Sequence, residues 1–237
     1  MIPIFRKIRK QMADDNKPMK YMRYAIGEVV LVVIGILIAL SINNWNEWRK
    51  DREKEKIILN DLAKNIVINI QTFQNDIDTL QQWNHSSEIV TRTLENKLDY
   101  SDTLRKHFHL ARVTKQKLVL SNVGYQAYKD QGLDIITNKA LSSEIIKLYE
   151  VIVPGTLSTN DLINEVHPAW DNHIVQNFDF IQGEGLTPND YESLFWDHYY
   201  ISWIKAYNQG RLALIITDKT IIEECERVLK LIQNELE

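Results

Sequence analysis

Residues 24–46 read YAIGEVVLVVIGILIALSINNWN. Within them, Ala25 to Ile42 is an apolar run interrupted by a single charge, Glu28. As a helix rising 1.5 Å per residue it spans roughly 27 Å, close to the hydrocarbon thickness of a bilayer. Tyr21 and Tyr24 stand at one end and Trp45 and Trp48 at the other, where amphipathic rings favour a membrane–water interface. The stretch therefore predicts a transmembrane helix over 24–46. A signal peptide cut near Ala39-Leu40-Ser41 is the competing reading, and the apolar run is long for a signal core.

Upstream, residues 1–23 carry seven Lys and Arg against Asp14 and Asp15, whereas the whole chain has net charge −4. Ile4, Phe5, Ile8 and Met12 recur at helical spacing between basic residues. That pattern predicts a short amphipathic helix on an anionic membrane surface, with a disordered basic tail as the alternative. Five basic residues, Arg49, Lys50, Arg52, Lys54 and Lys56, follow the apolar run closely. The excess before it places the N-terminus in the cytoplasm and the remainder outside, in a periplasm where the cell has one. The expected organisation is a basic cytoplasmic segment (1–23), a membrane helix (24–46) and a helical extracytoplasmic domain (47–237).

These residues also resemble a known signature. A basic FRKIRK segment followed by YAIGEVVLVVIGILIALSINNWNEWRK is similar to the start of a family of uncharacterised bacterial single-pass membrane proteins, with a YAIGEI-like opening, LVVIGILIAL and a polar INNWNE end. The stretch Tyr125 to Tyr149 looks like a second, looser motif of that family. The resemblance implies a topology and a cell-envelope location in bacteria, and it implies no activity.

Downstream the chain reads as all-α. No glycine occurs between Gly35 and Gly124 and no proline between Pro18 and Pro154, so no strong helix breaker interrupts that span. Leu59, Leu62, Ile66, Ile70, Phe73, Ile77 and Leu80 step by three and four, which predicts an amphipathic helix continuous with the membrane helix. His85-Ser86-Ser87 marks an expected interruption, and Ser101-Asp102 an expected cap for a helix to about Arg112. Lys115 to Leu120 is the one plausible extended segment. Further helices are expected from Ser121 to Gly132 and from Asn138 through Tyr149, ending at Pro154-Gly155. Another is expected from Ser158 or Thr159 to about Phe178, with a kink or break at Pro168. Gly183-Glu184-Gly185 reads as a loop and Thr187-Pro188 as the start of a helix that Gly210 ends. The last helix, about Leu212 to Glu235, carries a heptad-like coiled-coil seam of Ile222, Cys225, Leu229, Ile232 and Leu236. That seam suits either the long first helix or another subunit. Together these elements predict an antiparallel helical bundle.

The sequence contains no GxSxG, phosphate-binding glycine loop, HExxH or CxxC. Its acidic body lacks the positive face that nucleic-acid binding needs. No cofactor, metal site or catalytic residue is assigned. The lone Cys225 forms no internal disulfide and, at an apolar seam position, reads as a buried structural thiol. Two regions hold plausible chemistry. His167 and Asp171 are four apart, one helical turn, and Asp197-His198 lies in the aromatic run Phe195 to Trp203. His107 and His109, two apart, face different sides of a helix. In the membrane segment Glu28, Gly35 and Ala39 share one face, a small-xxx-small pair with a carboxylate above it. That face predicts contact with a second copy or another membrane protein, while a Glu28 carboxylate reaching back to the cytoplasmic surface is the alternative.

These observations favour a membrane-anchored interaction or sensory module. An envelope enzyme, or a metal- or ligand-binding protein built on His167–Asp171 or Asp197–His198, is the second reading.

Overall fold

A computed structural model describes residues 18–113, 118–163 and 168–237. The expected amphipathic helix near the N-terminus, His167, and Lys115 to Lys117 lie outside these residues. Two compact units are present, Met1–Lys54 and Glu55–Glu237. The first element, α1 (Pro18–Glu95), contributes to both. The remainder comprises α2 (Leu104–Arg112), α3 (Val123–Gln131), α4 (Lys139–Lys147), a π turn (Leu148–Ile152), α5 (Val153–Ile163), α6 (Pro168–Asn177), strands β1 (Phe178–Ile181) and β2 (Gly185–Pro188), a 3₁₀ turn (Glu192–Trp196) and α7 (His198–Leu236). The all-α class holds, with one small hairpin added.

In the first unit, the apolar window of α1 is wholly unburied. It is one helix long and apolar enough to cross a membrane. In the second unit the same helix changes character. Leu59, Leu62, Ile66, Asn69, Phe73, Asp76, Leu80, Trp83, Ser87, Val90 and Leu94 are all buried, at alternating steps of three and four. Helix α7 keeps the same rhythm with Tyr200, Ile204, Tyr207, Arg211, Leu214, Asp218, Ile221, Cys225, Val228 and Ile232. A 3–4 alternation keeps one seam turned toward a neighbouring helix. Here the two seams face each other antiparallel. Lys205 pairs with Glu95, Arg211 with Ser87, and Ile221, Cys225, Val228 and Ile232 share a core with residues Ile58 to Phe73. The expected seam of the last helix is corrected in part: Cys225 and Ile232 face α1, while Ile221 and Val228 take the places expected of Ile222 and Leu229, which with Leu236 are only partly buried.

Helix α1 runs through Ser86 and Ser87 without the expected interruption. Both serines are buried, and tertiary partners take up their hydroxyls: Ser87 Oγ accepts from the Arg211 guanidinium at 2.9 Å, and Ser86 Oγ lies 3.1 Å from His107 Nδ1. A serine whose hydroxyl is satisfied across the core does not compete for the helix backbone. Likewise α7 continues through Gly210, correcting the expected stop there. One Gly inside a helix costs about 1 kcal/mol of propensity, which the amphipathic face of a 39-residue helix overrides.

Segment 118–124 is fastened to α1 by two asparagines. Asn69 Oδ1 accepts from Ser121 N at 2.7 Å while its Nδ2 donates to Ser121 O at 2.9 Å, and Asn65 Oδ1 accepts from Gly124 N at 2.6 Å. Gly124 lies so close to α1 that a Cβ there would stand 2.8 Å from the Asp61 carbonyl oxygen. Gly132, at φ +96°, closes α3 as expected. Asn138 caps α4 by accepting from Leu141 N at 3.1 Å. Helical structure does not end at Pro154-Gly155. It loosens into the π turn at Leu148–Ile152 and continues into α5. Pro154 has no N–H to return to the preceding turn, and a π turn absorbs such a missing donor. Pro168 is the first described residue of α6, and the residues just before it, where a kink or break is expected, lie outside the described ones.

Thr187 and Pro188 are corrected too: they end β2 rather than starting a helix. Gly183 (φ +80°) and Gly185 (φ +119°) supply the left-handed backbone of the hairpin turn, which Glu184 N closes onto Ile181 O at 3.0 Å. Phe178 pairs with Pro188 and Ile181 with Gly185. The hairpin and α2 cover a second core, of Phe108, Trp170, Ile174, Phe178, Leu186, Tyr200 and Ile204.

Candidate functional site

The elements around that second core bring His173 and Asp197 together. His173 sits on α6 and Asp197 is the residue just before α7. Asp197 Oδ1 accepts from Tyr200 N at 2.9 Å, capping α7, and Oδ2 lies 2.7 Å from His173 Nε2. A carboxylate only accepts, so His173 Nε2 is the donor of this bond. Both side chains are about four-fifths buried, with relative exposures of 20% and 19%. Trp170, Tyr199 and Tyr200 surround the imidazole, with Tyr199 at 4.9 Å between ring centroids and Trp170 stacked at 6.3 Å. Burial pushes the Tyr200 phenol far up, and pushes Tyr207 to about 12. The pair thus holds the imidazole in one orientation beside the buried Tyr200 ring.

This is a different pairing from either sequence expectation. Asp197 meets His173 instead of its neighbour His198, which is exposed. His167, the expected partner of Asp171, lies outside the described residues. The aromatic run divides: Tyr200 is fully buried, while Trp196 is 67% and Tyr199 41% exposed. The sequence signal that would have found the pair is the cap itself, an aspartate one position before a long helix. Its partner on α6 is separated by a hairpin that has no clear sequence pattern. Among the described residues, no three His, Cys, Asp or Glu side chains assemble as metal ligands. His107 bonds Ser86, while burial and the nearby Arg112 charge lower the basicity of His109. Cys225 is buried, and burial pushes its thiol up to about 12.

The predicted membrane face is placed as follows. Gly35 and Ala39 lie on the exposed helix surface, with no atom within 4 Å of a Cβ built at Gly35. Glu28 is half-buried. Trp45 and Trp48 are each 61% exposed, and the Arg49 guanidinium stands 5.7 Å from the Trp45 ring centre. Tyr21 and Tyr24 belong to α1, and their side chains lie outside what is described.

A groove of about 750 Å³ opens between the C-terminal part of α1 and the start of α7. Glu88, Arg92 and Glu95 line one wall and Lys205, Asn208 and Gln209 the other. The Lys205 ammonium bonds Glu95 across it. No sequence motif announces this groove; the Glu88–Arg92 spacing of four is the sole trace.

Residues 28–106 match the profile of a family of unknown function, DUF6090. The match covers about a third of the chain, from within the apolar run of α1 into α2. No curated protein and no solved structure matches. The chain is therefore similar, over its long first helix, to proteins of an uncharacterised family.

Proposed function

We propose that this protein is a membrane-anchored helical module of the bacterial cell envelope that works by binding, as a sensor or an interaction partner. The observation that carries the reading is the apolar part of α1, which is unburied over its whole window. An exposed apolar surface that long is untenable in water, and lipid is the natural solvent for it. The basic residues before it favour a cytoplasmic N-terminus, and residues 47–237 then form the body outside. The bilayer is one partner. The Glu28, Gly35 and Ala39 face makes a second copy or another membrane protein the other, since small residues let helices approach closely. Tyr21, Tyr24, Trp45 and Trp48 would anchor the two interfaces.

Fractionation tests the anchor. The full chain should stay with membranes through a high-pH carbonate wash and be released by detergent; release by carbonate, or an intact mass lacking the first 41 residues, overturns it. Replacing Gly35 with Ile should abolish disulfide crosslinking between reporter cysteines placed along that face, and an unchanged pattern removes the contact face. The competing reading is an envelope enzyme, or a metal- or ligand-binding protein at His167–Asp171 or Asp197–His198. It draws its support from the 2.7 Å His173–Asp197 pair, which links those two regions. Stoichiometric metal in the purified protein, lost in Asp197→Asn, would favour it.

A further inference from the structure

Helix α2 reads LRKHFHLAR over Leu104–Arg112, with Arg105, Lys106 and Arg112 and no acid, in a chain of net charge −4. Two of those cations hold the β1–β2 hairpin. Arg105 pairs with Glu184 in the turn, and the Arg112 guanidinium stands 4.8 Å from the Phe180 ring centre. Gly185 lies so close to the Arg105 carbonyl that a Cβ would not fit. Between α2 and the hairpin a pocket of about 720 Å³ remains. Its helix wall is Lys106, His109 and Leu110, which share one face of α2 at steps of three and four. Its other wall runs from Phe180 to Gly185, with the Phe180 ring 55% exposed. The fold uses neither polar group of the helix wall. Lys106 joins no ion pair among the described residues, and His109 makes no hydrogen bond among them, its Nδ1 being buried. The Glu184 charge, by contrast, is taken up by Arg105.

We propose that this pocket binds a monocarboxylate with an apolar body, such as an aryl-alkanoic acid. The donors select the head. One ammonium and one neutral N–H match a singly charged group with two acceptor oxygens: Lys106 Nζ meets one, and His109 meets the other through Nε2, since Nδ1 is buried. Burial and the nearby Arg112 charge lower the basicity of His109, so its imidazole is neutral at pH 7 and adds a donor without a second charge. A phosphate dianion would keep one charge uncompensated, and an ammonium head would meet Lys106 as a like charge. The walls select the body. Leu110, Phe180 and Ile181 offer apolar surface beside those two polar groups, the usual make-up of a small-molecule site. Because Arg105 and Arg112 already fix the hairpin, little is left to order on binding. The inference rests on the binding-module reading, to which it gives a ligand class, and is independent of its membrane half.

Isothermal titration of the full chain in detergent with 3-phenylpropanoate tests it, each heat read against detergent alone. Saturable binding in the micromolar to millimolar range is expected. 3-Phenylpropanamide, which lacks the charge, and acetate, which lacks the body, should each bind at least about tenfold more weakly. Lys106→Gln should bring the acid down to the affinity of the amide and leave the amide unchanged. His109→Phe should weaken acid and amide together, because a carbonyl oxygen of either accepts the N–H. Lys106 is exposed, so its variant should keep the wild-type circular-dichroism melt. Absence of saturable heat with the folded wild-type chain overturns the proposal. So does an amide bound as tightly as the acid, and so does an acid affinity unchanged in both variants. Each of these failures leaves the membrane anchor standing, since fractionation reads that separately.

Discussion

Two of the three hydrophobic clusters among the described residues of the second unit are built by different means. The core around Leu62, Ile66, Phe73, Val228 and Ile232 is mainly aliphatic, and the period-keeping seams of the two long helices build it together with the short helices α3 and α4. The core around Phe108, Trp170, Phe178 and Tyr200 is richer in aromatic rings and is assembled from the end of α1, two short helices, a hairpin and the start of α7. In the first, order repeats every turn and each layer resembles the next. In the second, each ring has its own neighbours: Trp170 stacks on Tyr200 at 5.5 Å and meets Tyr207 edge-on at 5.6 Å. Repetition makes the first core tolerant and the second specific. In the first core Asn69 uses both ends of its amide on Ser121 and Asn65 Oδ1 accepts from Gly124 N, while the Tyr149 hydroxyl there is unpartnered, as are the Trp170 indole N–H and the Tyr200 hydroxyl in the second.

The largest effects should come from truncating each core. Trp170→Ala should cost roughly 3–5 kcal/mol and Leu62→Ala roughly 2–5 kcal/mol. If the cores fold independently, Trp170→Ala splits the thermal unfolding of the chain into two transitions and Leu62→Ala lowers only one. A single shifted transition in both variants would show that the contrast in construction leaves one cooperative unit.

Next in size is Gly124→Ala. The new methyl would meet the Asp61 backbone, which is part of α1 and has no room to yield. A loss of about 1–3 kcal/mol is expected, read as a lowered denaturant midpoint. A neutral result would mean that α3 is loosely docked and that the first core ends at α1 and α7.

Alkaline pH comes third. The Cys225 thiol titrates near 9.0 when unfolded and at about 12 in the first core. A raised acid means that the folded state holds its proton longer. Stability is therefore full below pH 9 and falls between 9 and about 12, by about 1.4 kcal/mol per pH unit for one group. Cys225→Val should flatten that slope when unfolding free energy is measured from pH 8 to 11. Tyr207, raised to about 12, contributes the same sign from pH 10 upward, so a residual slope should remain.

The smallest effect is expected at the surface. Arg227 pairs with Glu144 and Glu224, and all three side chains are more than a third exposed or close to it. Arg227→Ala should cost less than about 1 kcal/mol, and salt should reduce even that.

The first core was legible in the sequence and the second was not. Steps of three and four from Leu59 to Leu80 located α1, and the Cys225–Ile232 spacing located α7, because a helix buried along one stripe must repeat its apolar residues at its own period. What failed were the local punctuation marks. Ser86-Ser87 and Gly210 look like helix ends when only their neighbours are considered, and they lie inside helices because Arg211, His107 and the opposing seam decide the matter from a distance. The hairpin escaped because four-residue strands are too short to display a period. The His173–Asp197 pair depends on that hairpin's return path and was hidden with it. The groove was hidden for another reason: it lies between residues far apart in sequence, such as Glu88 and Asn208. Topology across the membrane, by contrast, was read from composition and charge alone and rests on them still.

The facing seams of α1 and α7 also impose a rule on heredity. A deletion or insertion of one residue between Leu59 and Leu94 would turn every later layer about 100° away from its counterpart. Seven residues added at matching levels of both helices would restore the alignment. Descendants of this chain are thus free to lengthen or shorten their bodies in paired steps of seven, and length differences among its relatives should fall in such steps or in the loops.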